Sequence, residues 1–140
     1  MARRAGWARL LNEYILRAQE RYQRNGFSWG RMDCCHFAGN WVQLCTGIDV
    51  LADYRGKYRT EEEAFALLSA NDGTLYDALV KRLGEPVHPS HAQRGDIAYS
   101  ESLKACGIFF TSGARTMALF LGEGGFALHR AKDTDHAFRV

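Results

Sequence analysis

An α+β fold, with N-terminal helices followed by a small antiparallel β-sheet, is what this 140-residue sequence predicts from three observations. Apolar residues recur at helical spacing from Trp7 to Leu83. After Glu85–Pro86 the period shortens to two or collapses into short apolar runs. Glycines at 107, 113, 122, 124 and 125 then separate those runs, as hairpin turns require. Helices first and strands second is the chain order of an α+β domain, and the length suits one domain with a core of its own.

The first element is predicted over residues 7–21, where Trp7, Leu10, Leu11, Tyr14, Ile15 and Ala18 form one stripe and the charges lie opposite. NGFSWG at 25–30 is turn-rich and interrupts that pattern. Asp33 is placed to cap a second helix, whose stripe is Cys34, Phe37, Ala38, Trp41, Val42 and Cys45 and whose end is Thr46–Gly47. Residues 48–59 read as a loop. Thr60 and Glu63 have capping-box spacing ahead of a third helix, and LYDALVKRL follows Thr74 and stops at Gly84 as a fourth. Strands are expected at 96–100, 105–110, 116–122, 126–131 and 137–140.

Charge is nearly balanced, 18 basic against 16 acidic residues. The one dense basic patch, Arg3–Arg4, reads as exposed decoration, and no stripe suited to tracking phosphates is present, so nucleic acid is not an expected partner. Trp7, Trp29 and Trp41 are not interleaved with basic residues and are assigned to the core. No segment approaches the ~20 apolar residues of a membrane span, and the charged N-terminus lacks the apolar run of a secretory signal. The expectation is a soluble chain made in the cytoplasm. GEGG at 122–125 is explained by a turn, and no phosphate-binding glycine loop occurs.

Four cysteines, at 34, 35, 45 and 106, are too sparse for a secreted disulfide framework. With His36 they offer soft ligands, but no paired spacing of the kind zinc sites use, so no metal and no cofactor is expected, although distant ligands can converge in a fold. A thiol in the first turn of a helix is different: the unpaired N–H groups and the dipole there favour the thiolate. Cys34 stands at that position, while Cys35 is expected to face another way and His36 lies about 200° around the helix from Cys34, poorly placed as its base.

The segments Phe27-Ser28-Trp29-Gly30, Asp33-Cys34-Cys35-His36-Phe37, Arg94-Gly95-Asp96-Ile97, Met117–Gly122 and Phe126–His129 follow the order of landmarks in the NlpC-like cell-wall cysteine peptidases, which this chain resembles over roughly residues 25–131. The resemblance implies a papain-like core, with the N-terminal helix and a helical insertion at about 48–84 as additions. It implies Cys34 as nucleophile and His129 as the residue that orients the base. Counting back from Gly122 puts Thr116 at the base's own position, and threonine accepts no proton near neutral pH. Phe27 stands where the family usually has a tyrosine that helps hold the oxyanion. His88, His91 or His129 is left as a substitute base, with His129 the best placed of the three.

Members of that family ride on phage tail tips. The leading expectation is therefore a phage tail-tip or tail-assembly structural protein with reduced or no catalysis, residing in the virion and packed against tail hub or other tail-tip proteins. The rival is an active cysteine endopeptidase cleaving peptidoglycan stem peptides during genome delivery, by attack of Cys34 on an amide carbonyl. An assembly factor absent from the finished particle is a third possibility.

Overall fold

The computed structural model describes residues 1–140 and has four helices followed by a five-stranded antiparallel sheet. The coarse α+β expectation holds.

Helix α1 spans Trp7–Asn25, one turn beyond the apolar stripe, because Tyr22 continues the inward face as far as Phe126. Gly26, at φ 70°, ends it. Helix α2, Cys34–Thr46, is the central element: Phe37, Ala38, Trp41, Val42 and Cys45 are buried between α1 and the sheet. Asp33 caps its start and Gly47, at φ 84° in the left-handed region, closes its end. Trp41 has no exposed surface, and its indole N–H donates to the Gly95 carbonyl at 2.8 Å, so its polar atom is satisfied as burial requires.

Helix α3, Glu61–Asn71, covers residues 48–58, while α4, Leu75–Leu83, packs on the main core through Leu79 and against Tyr99 and Phe138 through Tyr76. Thr60 caps α3 by accepting from the Glu63 N–H, but the Glu63 carboxylate accepts from Arg59 N–H, so the reciprocal box expected there is not closed. The closed box belongs to α4, between Thr74 and Asp77. Arg82 on α4 ties these parts together, donating to Asp72, Asp53 and the Val50 carbonyl, while Tyr54 donates to Asp72. Residues 48–59 are thus irregular yet anchored, with Leu51, Tyr54 and Tyr58 buried.

The strands are β1 Ile97–Ser100, β2 Ala105–Ser112, β3 Arg115–Gly122, β4 Gly125–Arg130 and β5 His136–Phe138, in the order β4-β3-β2-β1-β5. A meander from β1 to β4 is followed by β5 returning along the free edge of β1. The register sorts side chains by parity. Ile97, Tyr99, Cys106, Ile108, Leu119, Leu121 and Phe138 join the helices in the main core, whereas Ala98, Phe109, Ala118, Phe120 and Ala137 form a second cluster on the other face, covered by Val87, Ala92 and Ala131.

The N-terminus overturns its sequence-based reading. Arg3 is not exposed decoration: its side chain is 14% exposed and pairs at 2.8 Å with the buried carboxylate of Asp96. It also donates to the carbonyls of Arg94 and Val140 and stacks on Trp7 at 4.1 Å. Asp96 further accepts from the N–H groups of Gln93 and Val140, so one clasp joins the first residues, the entry to β1 and the last residue. Removing one partner of a buried pair strands the other charge. Arg3→Ala is expected to cost about 3 kcal/mol of unfolding free energy in urea titrations, with Arg3→Lys recovering only part because one ammonium cannot reach all three acceptors. A loss below about 0.5 kcal/mol, the size of an ordinary surface change, would show that the clasp is dispensable.

Candidate functional site

The turn ahead of α2 is built around one carboxylate. Gly30, at φ 87°, sits where a Cβ would collide with the Tyr58 carbonyl, so only glycine lets the 25–33 turn and the 58 strand of the loop lie against each other. Asp33 Oδ2 then accepts from Gly30 N–H at 2.8 Å and from the Tyr58 hydroxyl at 2.6 Å. Its Oδ1 accepts from the His36 backbone N–H at 2.8 Å and faces His36 Nδ1 at 2.9 Å, which places a proton on Nδ1. Burial pushes the Asp33 carboxyl up, but the hydrogen bonds from His36 and Tyr58 outweigh it and hold the group below its ordinary value.

The result is a rigid first turn that presents Cys34 and Cys35. Their sulfurs lie 3.9 Å apart, and Cys106, at 2% exposure on β2, approaches from the sheet with its thiol 3.7 Å from the Cys34 carbonyl oxygen. The three sulfurs all lie within 4.8 Å of one another. Cys35 therefore does not face away: a 100° step between neighbours separates their Cα–Cβ directions, and side-chain torsions bring the sulfurs back together. Thiol donation from Cys106, then from Cys35, holds Cys34 well below the ordinary thiol range, against burial and the Asp33 charge, while the same contacts and burial push Cys35 up. Cys106 is also pushed up by its contact with Cys34.

A cavity of about 110 Å³ adjoins this cluster. Its walls are α2, the 50–58 loop, α3 and α4, with Trp29, Tyr58, Leu68 and Leu79 among the lining residues and Cys34, Cys35 and Cys106 on its floor. Most of the lining is hydrophobic, with Asp33, Arg82 and Lys104 the charged exceptions, so the thiols face a largely apolar space. Trp29, assigned from sequence to the core, is half-buried here and anchors the turn by donating to Glu123.

The five imidazoles lie elsewhere: His136 on β5 stands opposite Tyr99 on the helix side of the sheet, packed against Tyr76 and Tyr99 and outside the sulfur cluster. His129 on β4 pairs with Ala118 in the sheet and packs edge-on against Phe120, at 5.3 Å between rings, on the face turned away from α2. Thr116 has the parity of Ala118 and Phe120 and shares that outer face. His88 is exposed and bonded to Ser90, and His91 is exposed in the same short turn. His36 is 5% exposed and committed to Asp33 and Tyr58. Of the expected site residues only Cys34 lies at the cavity, and the side chain set opposite it from the sheet is Cys106. Phe27 packs against Trp29 and the main core. The Gly95–Asp96 pair serves the terminal clasp and the Trp41 hydrogen bond. Tyr58 lies in a segment without periodicity and carried no signal in the sequence, while Cys106 was visible only as one of the four cysteines that could serve as soft ligands, its place beside Cys34 becoming legible once β2 is known to cross the start of α2.

A family model described as a domain of unknown function, DUF6950, matches residues 2–140, and the chain belongs to that family. Comparison with curated proteins and with solved structures found no match.

Alkylation of Cys34 by iodoacetamide is expected to show a pH midpoint below the ~8.5 of a free thiol, read by peptide mass spectrometry, and Cys106→Ser is expected to raise it. An unshifted wild-type midpoint would sink the assignment. Asp33 supplies a second test. Its folded value is lowered, so its stabilisation is complete above the unfolded value of about 3.9 and is lost as pH falls through the folded value. The stability gap between wild type and Asp33→Asn in urea should be full at neutral pH and narrow below about pH 4; a gap independent of pH would contradict this.

Proposed function

We propose that the protein is an NlpC-like, papain-type protein that has left hydrolysis behind and serves as a structural component of a phage tail tip or of its assembly. The observation that carries this reading is the thiol of Cys106 set beside Cys34, where a cysteine peptidase needs an imidazole. A thiol of raised pKa is a poor proton acceptor at neutral pH, and no imidazole joins the three sulfurs: His36 is held by Asp33, His88 by Ser90, His129 lies on the outer face, and His136, on the helix side of the sheet, packs against Tyr76 and Tyr99. The residues at 27 and 116 point the same way, since Phe27 has no hydroxyl to hold an oxyanion and Thr116 no basic nitrogen.

The partners in this reading are tail hub or other tail-tip proteins, met through α1 and the α3–α4 segment. Both present apolar side chains outward, Leu16 at 58% and Phe65 at 45% exposure. The host cytoplasm would be the place of synthesis and the virion the destination. No helix is long and apolar enough to cross a membrane.

One observation favours the alternative, an endopeptidase acting on peptidoglycan stem peptides: Cys34 is held toward the thiolate at a helix N-terminus beside a cavity. In that mechanism Cys34 Sγ attacks the amide carbonyl, N–H groups of the first turn of α2 hold the oxyanion, a histidine relays the Cys34 proton to the leaving amine, and water then cleaves the thioester.

Incubation of the purified chain with peptidoglycan stem peptides separates the two. No cleavage above the Cys34→Ala background is expected, and the chain should be found by mass spectrometry in purified particles from the host that encodes it. Cleavage that disappears in Cys34→Ala would overturn the non-hydrolytic reading; absence from particles would move the protein to the role of an assembly factor.

A further inference from the structure

Three sulfurs from two distant parts of the chain meet at the floor of the apolar cavity. Cys34 and Cys35 come from the first turn of α2 and Cys106 from β2, 72 residues from Cys34, so the convergence is a product of the fold and not of local spacing. Two half-buried thiols and one buried thiol in mutual contact make only weak hydrogen bonds to one another, because sulfur is a weak donor and a weak acceptor. Nor does the site supply the proton acceptor that a nucleophilic role for all three would need.

The distances match a different use. A cation bound by three thiolates in a plane, with metal–sulfur bonds of about 2.3 Å, separates the sulfurs by roughly 4 Å. Cys34 and Cys35 already stand at 3.9 Å, and all three lie within 4.8 Å. The widest separation exceeds that spacing by less than about 1 Å.

The donor set also decides the kind of cation. Soft thiolate ligands select copper(I), zinc and iron–sulfur clusters. Structural zinc is four-coordinate and needs another protein ligand. Asp33 offers none, since both its oxygens are taken by Gly30, His36 and Tyr58, and no imidazole nitrogen lies within the 4.8 Å cluster of ligand atoms. Tyr58 itself donates to Asp33. A closed-shell monovalent cation that is satisfied by three sulfurs fits, and the apolar walls formed by Trp29, Leu68 and Leu79 would shield it from water and oxidants. Cys34 and Cys35 are half-buried, which leaves a path of entry, and Cys106 is buried behind them.

We propose that Cys34, Cys35 and Cys106 form a trigonal thiolate site for a soft monovalent cation of the copper(I) class. On binding, each sulfur still protonated releases its proton to solvent, and the metal gains three sulfur ligands without a change in oxidation state, so no oxidant or reductant enters the step. The ion's positive charge offsets one of the three thiolate charges, and the positive end of α2 and the Arg82 and Lys104 side chains lining the cavity oppose the remainder. The inference does not rest on the tail-tip reading and survives its failure.

The test is an anaerobic titration of the fully reduced chain with copper(I) buffered by a coloured copper(I) chelator. One copper withdrawn per chain is expected, unchanged in Cys45→Ser, with Cys34→Ser and Cys106→Ser each losing at least ~100-fold in affinity, since even outer-sphere changes cost up to that much. X-ray absorption of the copper-loaded wild type should show three sulfur scatterers, and this decides the matter should a serine variant fail to fold. No withdrawal from the chelator, an affinity indifferent to Cys106→Ser, a two-sulfur spectrum, or tighter binding of zinc than of copper(I) would each overturn the proposal.

Discussion

The carboxylate of Asp33, 1% exposed and held by Gly30, His36 and Tyr58, is the constraint on which the site depends. A buried charge is tolerable only when its lone pairs are filled, and here four donors fill them. Two come from the first turn of α2, one from the turn before it and one from the loop 25 residues later. Satisfying one charge therefore fixes the start of the helix, the position of the two thiols on it and the loop that walls the cavity.

A second buried carboxylate, Asp96, does the same work at the other end of α2. Arg3 neutralises it, the backbone N–H groups of Gln93 and Val140 complete its shell, and the Gly95 carbonyl beside it receives the Trp41 indole. Between these two anchors α2 can neither slide nor rotate against the sheet, and the side chains of β1 and β2 meet it in one register. That register brings Cys106 beneath Cys34. It is also what excludes His129, since residues paired with Ala118 point to the outer face and a strand's parity cannot be changed without slipping the whole ladder.

The chemistry that results is that of sulfur in a largely apolar cavity. Cys34 is the sulfur most readily ionised, because its two neighbours donate toward it, and the neighbours are correspondingly harder to ionise. The α3–α4 segment matters here as a wall. It contributes no residue to the buried interior from α3, yet through Ala64, Phe65 and Leu68 it closes the cavity over the thiols. Tyr54, Asp72 and Arg82 hold that wall in place through a chain of hydrogen bonds and ion pairs.

Much of the architecture was legible in the sequence, for reasons that are local. Helical period, the caps at Asp33, Thr60 and Thr74, and the stops at Gly47 and Gly84 depend on residues within a turn of one another, and strand parity with glycine punctuation is equally short-ranged. Cys34 was marked by the same logic, a thiol at a helix start. What lay beyond local rules was every relation between distant segments: Arg3 closing on Asp96, Tyr58 on Asp33, Cys106 under Cys34, and Cys35 turning back toward its neighbour. These contacts are set by which faces the sheet and helices bury against each other, a choice made by the packing of the whole chain. The sequence alone determined the elements and the helix-borne thiol; the tertiary structure alone decided what that thiol faces, because the register of β2 against α2 is fixed by burial across the fold and by no residue near Cys34.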